Sequence, residues 1–162
     1  MQFQTADRLY HRDLAYDLID QPLEAYFDLI DSRPPFLRSN AASRGYFAEW
    51  TVCDGWLYLT SITALWEDGT PATIKQLFPL AGDRVFAAWL STNLRCYRAD
   101  SSPLALQNVV RAPDLVIHVN CGRISQGGAA QRQALRQTDR PPGNARSAQI
   151  IDLHTRANRQ PA

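Results

Sequence analysis

The pattern of apolar and polar positions is clearest over residues 44–66, where two β-prone runs flank Asp54-Gly55. Both central positions of a two-residue type I′ turn need φ > 0, and Asp-Gly meets that need, so the pattern predicts a hairpin here. Closing it pairs Val52 with Leu57, Trp50 with Leu59, Ala48 with Ser61 and Tyr46 with Thr63. Side chains alternate with period two, so these pairs share one largely apolar face. The other face collects Cys53/Trp56, Thr51/Tyr58, Glu49/Thr60 and Phe47/Ile62 and is mixed in character.

Elsewhere the pattern is shorter-ranged. Residues 8–18 alternate moderately and predict a hairpin turning near His11–Asp13. Asp20-Gln21-Pro22 predicts a helix start, with a polar cap, proline in the first turn and Glu24 near the positive end of the dipole. Leu23, Tyr26, Phe27 and Ile30 then fall on one apolar face of a helix running to about Asp31. Glu24, Asp28 and Asp31 form a second stripe, read as the solvated face. Arg33-Pro34-Pro35 ends the helix, because a residue before proline is pushed away from α.

After a polar connector at 36–43 and the central hairpin, Ala72–Phe78 predicts one or two helical turns. Arg84–Leu90 and Asn93–Arg98 predict a third hairpin around Ser91-Thr92. Leu104–Val110 and Leu115–Val119 predict a fourth, and Gly122–Ser125 a last short strand. These elements imply an α+β fold: a mainly antiparallel, curved β-sheet of short hairpins with one N-terminal helix. Past Gln126 sizeable apolar residues are reduced to Leu135, Ile150, Ile151 and Leu153. The expected organisation is therefore a compact domain over 1–125 and a mostly disordered, flexible C-terminal tail over 126–162.

Composition changes this picture little. The 162 residues are 45% hydrophobic and 20% charged, ordinary for a globular chain. No run is long and apolar enough for a transmembrane helix, and no leader pattern is seen, so a cytoplasmic protein with no membrane partner is expected. Charge is more informative. The net of +1 divides into −3 over residues 1–125 (11 basic, 14 acidic) and +4 over 126–162 (6 basic, 2 acidic). A basic tail on an acidic body admits arginine–phosphate contact with nucleic acid, although six arginines without interleaved aromatics are a poor signal for it. Cys53, Cys96 and Cys121 are odd in number and far apart, which fits small buried hydrophobes better than a disulfide framework or a metal site.

Candidate chemistry is sparse. The chain has no nucleophile elbow, metalloprotease helix, P-loop or dinucleotide fingerprint. His118 falls on the wetter side of its strand, and His154 lies in the tail. Glu49 is the one carboxylate expected among aromatics, across from Trp56 and Tyr58. There a raised pKa would suit a general acid, while an ion pair with Arg44 or Arg95 would make it ordinary. Arg44, Glu49, Trp56 and Tyr58 are accordingly the candidate binding residues, with no catalytic residue, metal or cofactor assigned.

Pro22-Leu23-Glu24-x-Tyr26, Arg44-Gly45-Tyr46-x-Ala48-x-Trp50, Asp54-Gly55-x-Leu57-Tyr58-Leu59, Leu77-Phe78-Pro79 and Val85-Phe86-Ala87-x-Trp89 occur in that order. This succession resembles an uncharacterised family of small bacterial proteins over about residues 8–125. The resemblance implies a bacterial origin and one compact domain, and it implies no activity. The expected function is a non-enzymatic module that binds another protein, with an immunity or antitoxin-type protein as one form. The alternatives are a small enzyme or ligand-binding domain with a pocket near Glu49, Trp56 and Tyr58, and nucleic-acid contact through the tail.

Overall fold

The computed structural model describes residues 4–99 and 112–125. In chain order its elements are β1 (Asp7–His11), β2 (Leu14–Leu18), α1 (Pro22–Leu29), β3 (Tyr46–Cys53) and β4 (Trp56–Ala64). They are followed by α2 (Ile74–Leu77), β5 (Val85–Phe86), β6 (Thr92–Arg98), β7 (Leu115–Asn120) and β8 (Arg123–Ser125). The first arm of the expected fourth hairpin, Leu104–Val110, and the tail at 126–162 lie outside the described residues.

The α+β expectation is overturned. Among the described residues strand accounts for 47% and helix for 11%, and seven strands close into a barrel. Around it they run β3-β1-β2-β6-β7-β8-β4, with β4 returning to β3 and β5 lying against β4 beyond β8. Two pairings make the closure. β1 lies parallel to β3, opposite the antiparallel sense of the other pairings among the described strands, with Leu9 against Trp50. β8 reaches β4 through Trp56 and Arg123. A curved open sheet would leave both edges unpaired; joining them satisfies those backbone groups and encloses the apolar face. Periodicity in the sequence identifies the faces of a strand and is blind to its partners.

Inward positions fill the interior. Leu9, Leu18, Trp50, Leu57, Leu59, Leu94 and Ile117 are all fully buried. The Asp54-Gly55 turn forms as expected, with φ of 51° and 79°. The register beyond it does not. Val52, Trp50 and Thr51 keep their expected partners, but a β-bulge intervenes between Glu49 and Trp50, so Ala48 faces Ile62 and Tyr46 faces Ala64. Thr60 is the extra residue, and its hydroxyl donates to Glu49 O at 3.1 Å. One inserted residue exchanges the two faces, which turns Ile62 and Ala64 inward where an unbroken register would place Ser61 and Thr63.

The first hairpin turns at Arg12 and Asp13, both at positive φ (50° and 62°). α1 buries Leu23 and Phe27 as expected, but Ile30 is 45% exposed because the helix has already ended. Its cap also differs. Gln21 occupies the cap position without a side-chain bond, while Asp20 accepts from Arg95 N at 2.6 Å and pairs with its guanidinium at 2.9 Å. The expected third hairpin is absent: β5 pairs with β4, whereas β6 pairs with β2 and β7. The connection through Ala87 and Leu90 is buried and moves the chain from one side of the barrel to another.

Candidate functional site

The four candidate binding residues do not form one site. Arg44 is drawn inside and is only 8% exposed. Its Nη2 donates to Asp7 Oδ1 at 2.9 Å and its Nη1 to the Tyr46 hydroxyl at 3.2 Å, while its buried Nε has no partner. Asp7 also accepts from Ala48 N at 3.2 Å and from Trp50 Nε1 at 3.3 Å. Tyr46 continues the chain of bonds outward, donating to Glu24 Oε1 at 2.7 Å, and Glu24 pairs with Arg33. This network ties β1, β3 and α1 together at the barrel end away from the Asp54-Gly55 turn. Burial pushes the Asp7 carboxyl above its ordinary range, against the opposing pull of Arg44 and its hydrogen-bond donors. Burial likewise raises the Tyr46 hydroxyl. Sequence reading missed Asp7, because a lone aspartate at a strand start looks like an exposed residue.

Glu49 lies on the outer wall and accepts from the Tyr10 hydroxyl at 3.1 Å. Neither expected arginine meets it, since Arg44 pairs with Asp7 and Arg95 with Asp20. Burial, followed by the Glu49 charge, raises the Tyr10 hydroxyl.

Trp56 and Tyr58 belong to a different constellation on the same wall. The Arg84 guanidinium sits over the Tyr58 ring at 4.1 Å. Tyr58 lies 5.9 Å from Phe86, Phe86 meets Trp56 edge-on at 5.1 Å, and Arg123 lies over Trp56 at 6.0 Å. The result is a run of three aromatic rings with a guanidinium at each end, Arg84–Tyr58–Phe86–Trp56–Arg123, crossing β5, β4 and β8. Tyr58 is its buried floor, and the other four are half-buried. Burial raises the Tyr58 hydroxyl while Arg84 opposes the shift. Arg84, Phe86 and Arg123 were not foreseen, because the first two sit in a segment read as a hairpin arm pairing with Asn93–Arg98.

Just past this run, an open groove of about 360 Å³ follows β4 along Thr60, Ser61 and Ile62, bounded by Ala72–Lys75 and by Gly82-Asp83. Glu49, Trp56 and Tyr58 do not line this groove. His118 is exposed as expected and bonds Asn93 Oδ1 through Nδ1. The cysteines divide: Cys96 is buried, Cys53 is intermediate and Cys121 is exposed. Among the described residues no group of His, Cys, Asp and Glu could hold a metal ion, and no helix is long and apolar enough to cross a membrane.

Compared with known proteins, the chain matches no family model, no curated protein and no solved structure.

Proposed function

We propose that the chain is a non-enzymatic protein-binding module, of the immunity or antitoxin kind, that docks through the outer wall formed by β4, β5 and β8. The carrying observation is the Arg84–Tyr58–Phe86–Trp56–Arg123 run. Tryptophan, tyrosine and arginine are the residue types that anchor protein interfaces, since they bring large contact area and planar polar edges at low entropic cost. Here they are held in place by one another before any partner arrives, which lowers the ordering cost of binding.

Capture from bacterial lysate by the full chain, with nuclease treatment and a salt series, tests this reading against an R84E/R123E variant. The expected result is a stoichiometric polypeptide that survives nuclease and is at least about tenfold depleted by the double charge reversal. Retained material that vanishes with nuclease and falls steeply with salt would move the function to nucleic acid instead.

A further inference from the structure

We infer that the groove beside Ile62 is a strand-addition site, which takes an extended peptide segment of the partner carrying one acidic and one basic side chain. The inference rests on the protein-binding reading above and specifies how the partner engages.

The backbone of β4 dictates it. Leu57 N donates to Gly122 O at 2.8 Å and Leu57 O accepts from Ala87 N at 3.0 Å, so Leu57 directs both backbone groups to the side occupied by β8 and β5. Alternation gives Leu59 the same direction, and there it faces Val85 of β5. The bulge at Thr60 then moves the alternation to even-numbered positions. Ala64 accordingly turns its carbonyl to this side, where Ala72 N donates to it at 2.9 Å. Ile62 lies between these two satisfied positions and directs its N–H and C=O the same way. Among the described residues the strand pairings give Ile62 a partner on β3 alone, β5 stops at Leu59, and the groove opens along this stretch. An unpaired donor and acceptor on a sheet edge is a template for another strand.

The two banks add charge complementarity. Lys75 stands on one and Asp83 on the other, both exposed, and neither is in an ion pair among the described residues. A carboxylate and a cation on the incoming segment would meet them, while its backbone amide and carbonyl would bond Ile62. An open groove of this kind suits a continuous chain better than a small molecule, which usually needs most of its surface enclosed.

A random-peptide display library selected against the full chain, with counter-selection against a K75E/D83K variant, tests the assignment. Both side chains are exposed, so the swap should leave folding intact, which circular dichroism checks. Selected peptides are expected to slow hydrogen exchange at the Ile62 amide. They should lose about tenfold in affinity when the amide facing Ile62 is N-methylated, the loss of one backbone hydrogen bond. Reversing the two peptide charges should restore binding to K75E/D83K. An empty selection, or binders indifferent to both N-methylation and K75E/D83K, would overturn the inference. Binders that depend on Arg84 and Arg123 but leave Ile62 exchange unchanged would overturn strand addition alone and keep the interface reading. An Ile62 amide protected only at high concentration of the free chain would give the edge to a second copy, which also overturns it.

Discussion

The Asp7–Arg44 pair carries the largest single-residue consequences. Both partners are almost fully enclosed, so removing one leaves the other as an uncompensated buried charge. Asp7→Ala is expected to cost about 3–5 kcal/mol, and the Asp7→Leu/Arg44→Met double substitution to recover most of that, as urea titration would record. The pH dependence has a definite sign. Burial holds the folded Asp7 carboxyl above its ordinary value of 3.8, so in the window just above 3.8 the folded chain binds more protons than the unfolded one. Asp7's contribution is therefore fully present below that window and is lost as pH rises through the folded value. The stability difference between wild type and Asp7→Asn should shrink with rising pH there. A difference that grows would contradict the assignment.

Thiol chemistry follows burial in the same way. Burial pushes the Cys96 thiol up to about 12, which leaves almost no thiolate at neutral pH, whereas Cys121 is exposed at the β7–β8 turn. Maleimide labelling of the native chain should mark Cys121 and spare Cys96 until denaturant is added. Prompt labelling of Cys96 would argue against its place inside the barrel. The sequence did not distinguish these cysteines: Cys96 alternates with Leu94 on an inward face, whereas Cys121 and Gly122 make a turn that no apolar pattern marks.

At the level of elements, closure between β4 and β8 is the narrow point of the fold. Gly122 sits there at φ 78°, and a Cβ would meet the Phe86 ring at 2.6 Å and Ala87 O at 2.8 Å. Gly122→Ala combines backbone strain with a clash against main chain that cannot swing aside. A loss of roughly 1–3 kcal/mol is expected, read as a lower thermal midpoint. An unchanged midpoint would mean that the barrel does not close at this seam.

What was legible in the sequence also sorts at this scale. Turns with chemical signatures were readable: Asp54-Gly55, the Arg12-Asp13 region, and proline at the start of α1. The Thr60 bulge was not, because an inserted residue leaves no local signature and shows only as Ile62 and Ala64 falling out of phase. Pairing between distant strands was equally hidden. β5 and β6 are neighbours in sequence yet belong to different parts of the barrel, and β1 joins β3 across the whole of α1 and its following loop. The candidate site was legible to the same extent: Trp56 and Tyr58 lie in the aromatic run, while Arg44 went inside because an unforeseen aspartate waited there.

The described strands form a closed barrel, and β4 borders an open groove at Thr60–Ile62. Its exterior brings together the Arg84-to-Arg123 run and the groove past Thr60 without a break along that strand, and the functional account depends on this continuity. α1 and the Asp7 network hold the Tyr46–Ala48 end of β3, which pairs with Ile62 and Ala64 of β4.

The most direct test is residue-resolved amide hydrogen exchange on the free full chain at low concentration. Slow exchange is expected at Leu57, whose N–H bonds Gly122 O in the β7–β8 turn, and at Leu59, which faces Val85 of β5, with fast exchange at Ile62 between Leu59 and the Ala72–Ala64 bond. An Ile62 amide as protected as that of Leu59 would mean the edge is already paired, and would contradict the account.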